Sequence, residues 1–201
     1  MAHEIDEVLT FWFGGLSVEG LASPEKTARW FAKDPAFDRE IAERFGALHE
    51  AIAKREREGF RDTAKGLLAY VLVLDQFSRN MFRDTPQAFA YDDQALDAAR
   101  HGIHLGFDRM LVGQARAFLY MPFMHSESLE AQDQGVSLFR EFRREVGEGA
   151  LGQAIQTNLD FMLAHERIIA RFRRFPHRNA ILGRKSTDEE RAFLEEPGSS
   201  F

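Results

Sequence analysis

Apolar side chains recur at steps of three and four residues along much of this chain, and this spacing constrains the fold more than any other feature. The clearest run is Phe37, Ile41, Phe45, Leu48 and Ile52, with charged residues on the intervening positions. Residues spaced in this way lie on one face of an α-helix, whereas a half-buried strand alternates at every second position. Because no segment shows convincing alternation, the sequence predicts an all-α protein.

Residues typical of helix ends divide the chain into seven to nine predicted helices. Capping side chains followed by proline, at Ser23-Pro24 and Asp34-Pro35, predict two helix starts. We expect antiparallel helix pairs stacked side by side in one domain, residues 1–196, with a frayed tail at 197–201. A buried central helix is predicted over Gly66–Leu74, and a later helix is capped by Asp92 or Asp93 and ends near His104 and Gly106. A break or kink is predicted at Met121-Pro122. The next helix is expected to start at Ser126 or Ser128 and to end near Val146, and a capping box at Ser186 and Glu189 starts the final helix.

Composition excludes several classes of function. The net charge of −6 gives no overall attraction to nucleic acid, whose binding relies on Lys and Arg neutralising phosphates. The chain has no cysteine, so disulfides and thiolate chemistry are excluded. We find no secretory signal and no apolar run long enough to span a bilayer, and therefore predict a cytoplasmic protein without a membrane partner. Neither a metal site nor a cofactor is expected, and assembly into a homo-oligomer is left open.

The first candidate site is the polar cluster that follows the apolar helix, in the segment LDQFSRNMFR. If the helix continues, Asp75 and Arg79 share one face at four-residue spacing, as do Gln76 and Asn80. A buried carboxylate needs a partner, and Asp75 with Arg79 would form a charge-assisted pair. We weigh two interpretations, a structural ion pair at the helix end and part of a ligand site.

The second candidate site is the segment FLYMPFMHSE. Arg116 and Tyr120 lie one helical turn apart, and His125 with Glu127 is expected in a loop after the proline. Histidine titrates near neutrality, so His125 is a candidate general acid or base and Glu127 a candidate modulator of its proton affinity.

The third candidate site is the arginine-rich segment near the carboxyl end. His165 is expected to face inward in a structural role, whereas donors cluster after Pro176 at His177, Arg178, Asn179 and Arg184. Guanidinium groups bind carboxylate and phosphate through two parallel hydrogen bonds, which indicates an anion site. The alternative is that these arginines satisfy helix ends and neighbouring acids.

Six motifs in order along almost the whole chain resemble the bacterial family called domain of unknown function 924. They are FWFG (11–14), WFxxDxxFD (30–38), LDQFSRNMFR (74–83), AFAYD (88–92), YMPFMHSE (120–127) and HERIIARFRRFPHRNAILGRKSTDEERAFL (165–194). The resemblance implies a tetratricopeptide-like fold and supplies no established activity. Two positions depart from the family pattern, with Ser78 where proline is typical and Asp84 where glycine often follows the arginine.

Three functional hypotheses follow. The first is a cytosolic binding module with a pocket or groove for an anionic small molecule or an acidic peptide. The second is a small enzyme, a hydrolase or lyase, that uses His125 as acid or base on an anionic substrate. The third is a protein-interaction scaffold, which would present a broad apolar groove. The aromatic motif FWFG and the pair Trp30-Phe31 are expected in the core, with a pocket lining as the alternative.

Overall fold

The computed structural model describes residues 1–200, and over that range its regular secondary structure is all helical, with no strand. Its elements include nine α-helices, within the predicted seven to nine. They are α1 (Ala2–Phe13), α2 (Pro24–Trp30), α3 (Pro35–Ala53), α4 (Ala64–Leu72, continuing through a π-helical turn, Val73–Phe77, into Ser78–Met81), α5 (Asp92–His104), α6 (Gly113–His125), α7 (Leu129–Val146), α8 (Ala150–Phe172) and α9 (Asp188–Leu194). Short 3-10 turns lie at Glu58–Asp62, Pro86–Phe89, Phe107–Met110 and Pro176–Arg178.

The predicted starts of α2, α3 and α7 are confirmed. The Ser23 hydroxyl accepts from the third helical N–H, and the Asp34 carboxylate accepts from two. Ser128 caps α7, which ends at Val146 as expected. The capping box of α9 was predicted one residue too early, because Thr187 exchanges its hydrogen bonds with Glu190.

Helix α4 is the central element. Its residues from Gly66 to Ser78 are buried, because α1, α3, α5 and α6 all pack against it. An α-helix that is apolar on every side requires such an enclosure. Within residues 1–200, no helix combines the length and the apolar character that crossing a membrane demands.

Aromatic rings fill the seams between the first helices and α4. The Trp12 ring stacks on Trp30 and Phe37 and meets Phe77 and Phe118 at steeper angles. The rings of the FWFG motif and Trp30 therefore belong to the core, as expected, but the same expectation for Phe31 is wrong, because 70% of that residue is exposed just after the end of α2. Such ring pairs add stabilisation beyond the apolar area that they bury.

Helices α7 and α8 form an antiparallel pair joined by only three residues. Gly147 and Gly149 adopt positive φ angles of 63° and 116° in this connection, which side chains disfavour. A second, smaller apolar cluster of Ile168, Ile169 and Phe175 follows at the end of α8. It attaches the arginine-rich segment to the helical body.

The sequence predicts a break or a kink at Met121-Pro122, and the break is wrong, because α6 continues through Pro122 to His125. Proline removes one backbone hydrogen bond, yet nearly all of this helix is buried, and its packing outweighs that loss. The Gln132 amide donates to the carbonyls of Met124 and Ser126 at 2.8 and 2.7 Å, which satisfies the helix end. His125 consequently closes a helix and does not lie in a loop.

The predicted tail at 197–201 is described as far as residue 200, and Phe201 lies outside the described residues. Ser199 is buried, and its hydroxyl donates to the Leu194 carbonyl at 3.1 Å. This contact holds residue 199 against the end of α9.

Candidate functional site

The π-helical turn at Val73–Phe77 places the first polar cluster. A π turn inserts an extra residue into the helical repeat, so residues four apart no longer share a face. The predicted Asp75–Arg79 hydrogen-bonded pair is therefore wrong: Asp75 accepts from Gln76 and His125, and Arg79 binds Asp92 at 2.8 Å. Arg79 still acts on Asp75 through its charge.

Asp75 and His125 form a dyad between α4 and α6. Asp75 is completely buried, and its Oδ1 lies 2.6 Å from Nδ1 of His125. Burial alone would raise the pKa of Asp75, but the charge and hydrogen bond of His125, together with Arg79 and Gln76, lower it below its usual value. The carboxylate therefore stays ionised and orients the imidazole ring.

Arg79 and Arg178 share a single carboxylate. Asp92 Oδ2 accepts from Arg79 at 2.8 Å and from Arg178 at 3.3 Å. The Arg178 guanidinium lies between the rings of Phe89 and Phe175, at 4.6 and 4.3 Å from their centroids. Burial, and then the charge of Arg79, lower the pKa of Arg178 to about 10. The buried Arg178 and the partly exposed Arg79 thus share one carboxylate.

A cleft of about 230 Å³ opens at this cluster. It is lined by Pro86, Phe89, Ala90, Asp92, Asp93, His125, Ser126, Glu127, Arg178 and Leu182. The turn before α5, the start of α5, the end of α6 and the arginine-rich segment therefore converge on it. Two larger surface clefts, of about 470 and 590 Å³, contain none of the predicted site residues.

Glu127 ties the arginine-rich segment to the end of α6. Its carboxylate accepts from Arg184 at 2.6 and 2.9 Å and from the backbone N–H of Phe175 at 2.8 Å. Burial would raise the pKa of Glu127, but these donors lower it. Glu127 was predicted to modulate the proton affinity of His125, yet its carboxylate binds Arg184 and Phe175 and so positions the cleft wall.

Three predicted site residues lie elsewhere. Arg116 binds Glu145, and Tyr120 donates to Asp108 at 2.7 Å, on the far part of α6. Asn80 donates to Asp38 at 2.8 Å. Each side chain ties together helices outside the cleft.

Two more predicted residues stand behind the cleft wall. The buried Asn179 amide donates to Ser186 at 3.0 Å and accepts from Arg184 at 3.0 Å. His177 packs at 5.5 Å from the Phe175 ring, and burial with the charge of Arg178 lowers its pKa to about 4. Neither lines the cleft.

His165 faces inward as predicted, with Nδ1 at 2.8 Å from the Phe161 carbonyl. Burial, and then the charge of His125, lower its pKa to about 3. His165 is therefore neutral near pH 7, beside His125 at a ring distance of 6.3 Å.

Sequence reasoning missed Asp92 and Phe89 as site residues. Asp92 or Asp93 was expected to cap α5, but Tyr91 occupies the cap position and the Asp92 carboxylate turns to the two arginines. The signal available was the motif AFAYD, which contains both residues. Asp92 in this motif was already explained as part of a helix start, so it was not considered as a site residue.

The cleft combines a fixed imidazole with an arginine pair. Nε2 of His125 makes no hydrogen bond within residues 1–200, and Arg178 reaches a carboxylate only through Nη1. Such an arrangement can bind an anion and accept or donate a proton beside it. No group of three or more potential metal ligands occurs among the described residues.

Comparison with known proteins agrees with this fold. A solved protein of unknown function from Agrobacterium tumefaciens shares 36% sequence identity, with a TM-score of 0.80 over 96% of this chain and 98% of that one. No curated protein matches the chain. The model of a family described as bacterial protein of unknown function, domain of unknown function 924, matches residues 8–198. The chain belongs to this family.

Proposed function

We propose that the chain is a cytosolic binding protein for a small anionic molecule, which it holds in the cleft between α5, α6 and the arginine-rich segment. The observation that carries this proposal is that Arg79 and Arg178 share the one carboxylate of Asp92 beside the cleft. A second anion placed there relieves the repulsion between the two guanidinium groups.

The surroundings of Arg178 favour a bound ligand over a purely structural ion pair. The residue is 6% exposed, and its buried Nε has no hydrogen-bond partner among residues 1–200. A buried donor without a partner costs about 1 to 3 kcal/mol. The rings of Phe89 and Phe175 hold the guanidinium plane in place, so the Arg178 side chain loses little further conformational entropy when a ligand binds.

The charges around the cleft leave room for an anion. Asp75 is matched by His125, and Glu127 by Arg184. The remaining pair of cations, Arg79 and Arg178, faces the single charge of Asp92. Asp93 also lines the cleft, so the excess of positive charge is local to the Arg79–Arg178 pair.

The size of the cleft favours a small molecule over an acidic peptide. A volume of about 230 Å³ equals that of roughly eight liquid waters. A phosphate or a short carboxylate fits this space. A peptide would have to lie mostly outside it.

Isothermal titration with inorganic phosphate and with succinate tests the proposal. We expect saturable binding that R178Q weakens about tenfold or more, because a charge-assisted hydrogen bond contributes about 1.5 to 3 kcal/mol. The matched control is R140Q, which removes an equal charge from an exposed position on α7. Equal affinity in R178Q and R140Q, or no binding of either anion to the wild type, would overturn the proposal.

A second variant guards against misfolding of R178Q. Asp92→Asn removes the carboxylate that competes for both arginines, so we expect D92N to bind phosphate more tightly than the wild type. Partial unfolding cannot raise affinity. Weaker binding by a folded D92N protein would contradict the proposed role of the arginine pair.

A further inference from the structure

We propose that the cleft is a hydrolytic site, in which His125 is the general base and acid for cleavage of small carboxylate-bearing esters and Asp75 is its positioning residue. This inference rests on the proposed function, because Arg178 would hold the carboxylate of the substrate. It adds a reaction to a binding site.

The dyad geometry leaves one nitrogen available for chemistry. Asp75 Oδ1 accepts from Nδ1–H of His125 at 2.6 Å, and Oδ2 accepts from the Gln76 amide. Since both oxygens are held, the carboxylate cannot turn away from the ring. The neutral imidazole then carries its lone pair on Nε2, which has no protein partner in residues 1–200.

The position of His125 distinguishes the dyad from an internal tie between helices. Its partner Asp75 is completely buried, whereas 17% of the His125 side chain is exposed and the residue lines the cleft together with Arg178. A buried carboxylate behind an accessible imidazole is the arrangement that sets the tautomer of a general base. The neighbouring His165 and His177 do not line the cleft.

The reaction requires only water and the ester. Nε2 of His125 takes a proton from water as the water oxygen bonds to the ester carbonyl carbon, and Asp75 stabilises the resulting imidazolium. The tetrahedral intermediate then expels the alkoxide, which receives the proton from Nε2. The products are an acid and an alcohol, and His125 returns to its neutral form.

The test uses mono-4-nitrophenyl succinate as the probe and measures release of 4-nitrophenol. We expect saturable turnover that H125Q lowers about 100-fold, in the range of general acid–base catalysis. The control H101Q removes an exposed histidine and should retain the wild-type rate. Neutral 4-nitrophenyl acetate should show a much higher KM, since it cannot engage Arg178.

Two further measurements test the positioning role of Asp75. In the wild type, the side-chain ¹⁵N spectrum should show His125 protonated at Nδ1 in its neutral form. D75N should lower kcat more than it raises KM and should displace the pH profile of kcat. A neutral His125 protonated at Nε2 would overturn the role of the dyad even if D75N failed to fold.

The outcomes separate this inference from the proposed function. Binding of succinate by the wild type, with ester hydrolysis equal in wild type and H125Q, would overturn the catalytic inference alone. Absence of succinate and phosphate binding would overturn both. Turnover that depends on His125 and saturates with the succinate ester would support both.

Discussion

Removing the Glu127 carboxylate should destabilise the fold and release one wall of the cleft. In Glu127→Ala the completely buried Phe175 loses the acceptor for its N–H, at a cost of about 1 to 3 kcal/mol. Loss of the Arg184 ion pair, in which 24% and 29% of the side chains are exposed, adds about 1 kcal/mol. We expect a total loss of about 2 to 4 kcal/mol in the free energy of unfolding.

Urea denaturation and thermal melting measure this loss, and the melting temperature should fall by roughly 4 to 16 °C for a chain of this size. The matched control is Glu127→Gln, whose amide oxygen still accepts from Phe175 N–H and should cost only about 1 kcal/mol. Hydrogen exchange should show faster exchange at Phe175 in E127A than in E127Q. Stability within about 0.5 kcal/mol of the wild type, with unchanged exchange at Phe175, would refute the reasoning.

Three other perturbations test separate parts of the structure. Asp84 has a φ of 61°, so D84A should be less stable than D84G by about 1 kcal/mol in urea denaturation, and equal stabilities would contradict that backbone conformation. Gly113 has a φ of 51°, and an added Cβ would lie 2.1 Å from a carbonyl oxygen, so G113A should lower the free energy of unfolding by at least about 2 kcal/mol; a smaller loss would contradict this close approach. Burial lowers the pKa values of His49, His165 and His177 to about 4, 3 and 4, below the ordinary 6.5 of the unfolded chain. Because the unfolded chain binds more protons below pH 6.5, stability should be fully present above that pH and fall as the pH drops toward 4; urea midpoints independent of pH between 7.5 and 4.5 would contradict the burial of these rings.

Local sequence signals predicted the helices well where the controlling interaction is also local. Ser23, Asp34 and Ser128 cap helices because each side chain reaches N–H groups within three residues. The break expected at Pro122 was wrong because the burial of α6 lets the helix continue through the proline. That burial comes from helices that are remote in the sequence. The neighbouring sequence alone does not contain that information.

The departures from the family pattern acquire physical explanations in the structure. Ser78, at a position where proline is typical, places its hydroxyl 2.8 Å from Nε2 of the buried His49. Asp84, at a position where glycine is common, adopts a left-handed conformation. The first residue supplies a polar contact that proline lacks, and the second keeps the backbone conformation that glycine favours.

The candidate site was only partly predictable because its members are paired across the fold. The sequence indicated Asp75, His125 and Arg178 separately, by residue type and motif. Their arrangement depends on the π turn in α4 and on the unbroken α6, and no local periodicity predicts either feature. Asp92, which joins the two arginines, was hidden by its place at the start of a helix.

A crystal structure of the protein grown with succinate tests the central claim most directly. The claim predicts a carboxylate of succinate within hydrogen-bonding distance of the Arg178 guanidinium, in the cleft that His125 lines. Succinate bound only at a surface remote from Arg178, or His125 and Arg178 opening onto different surfaces, would contradict it.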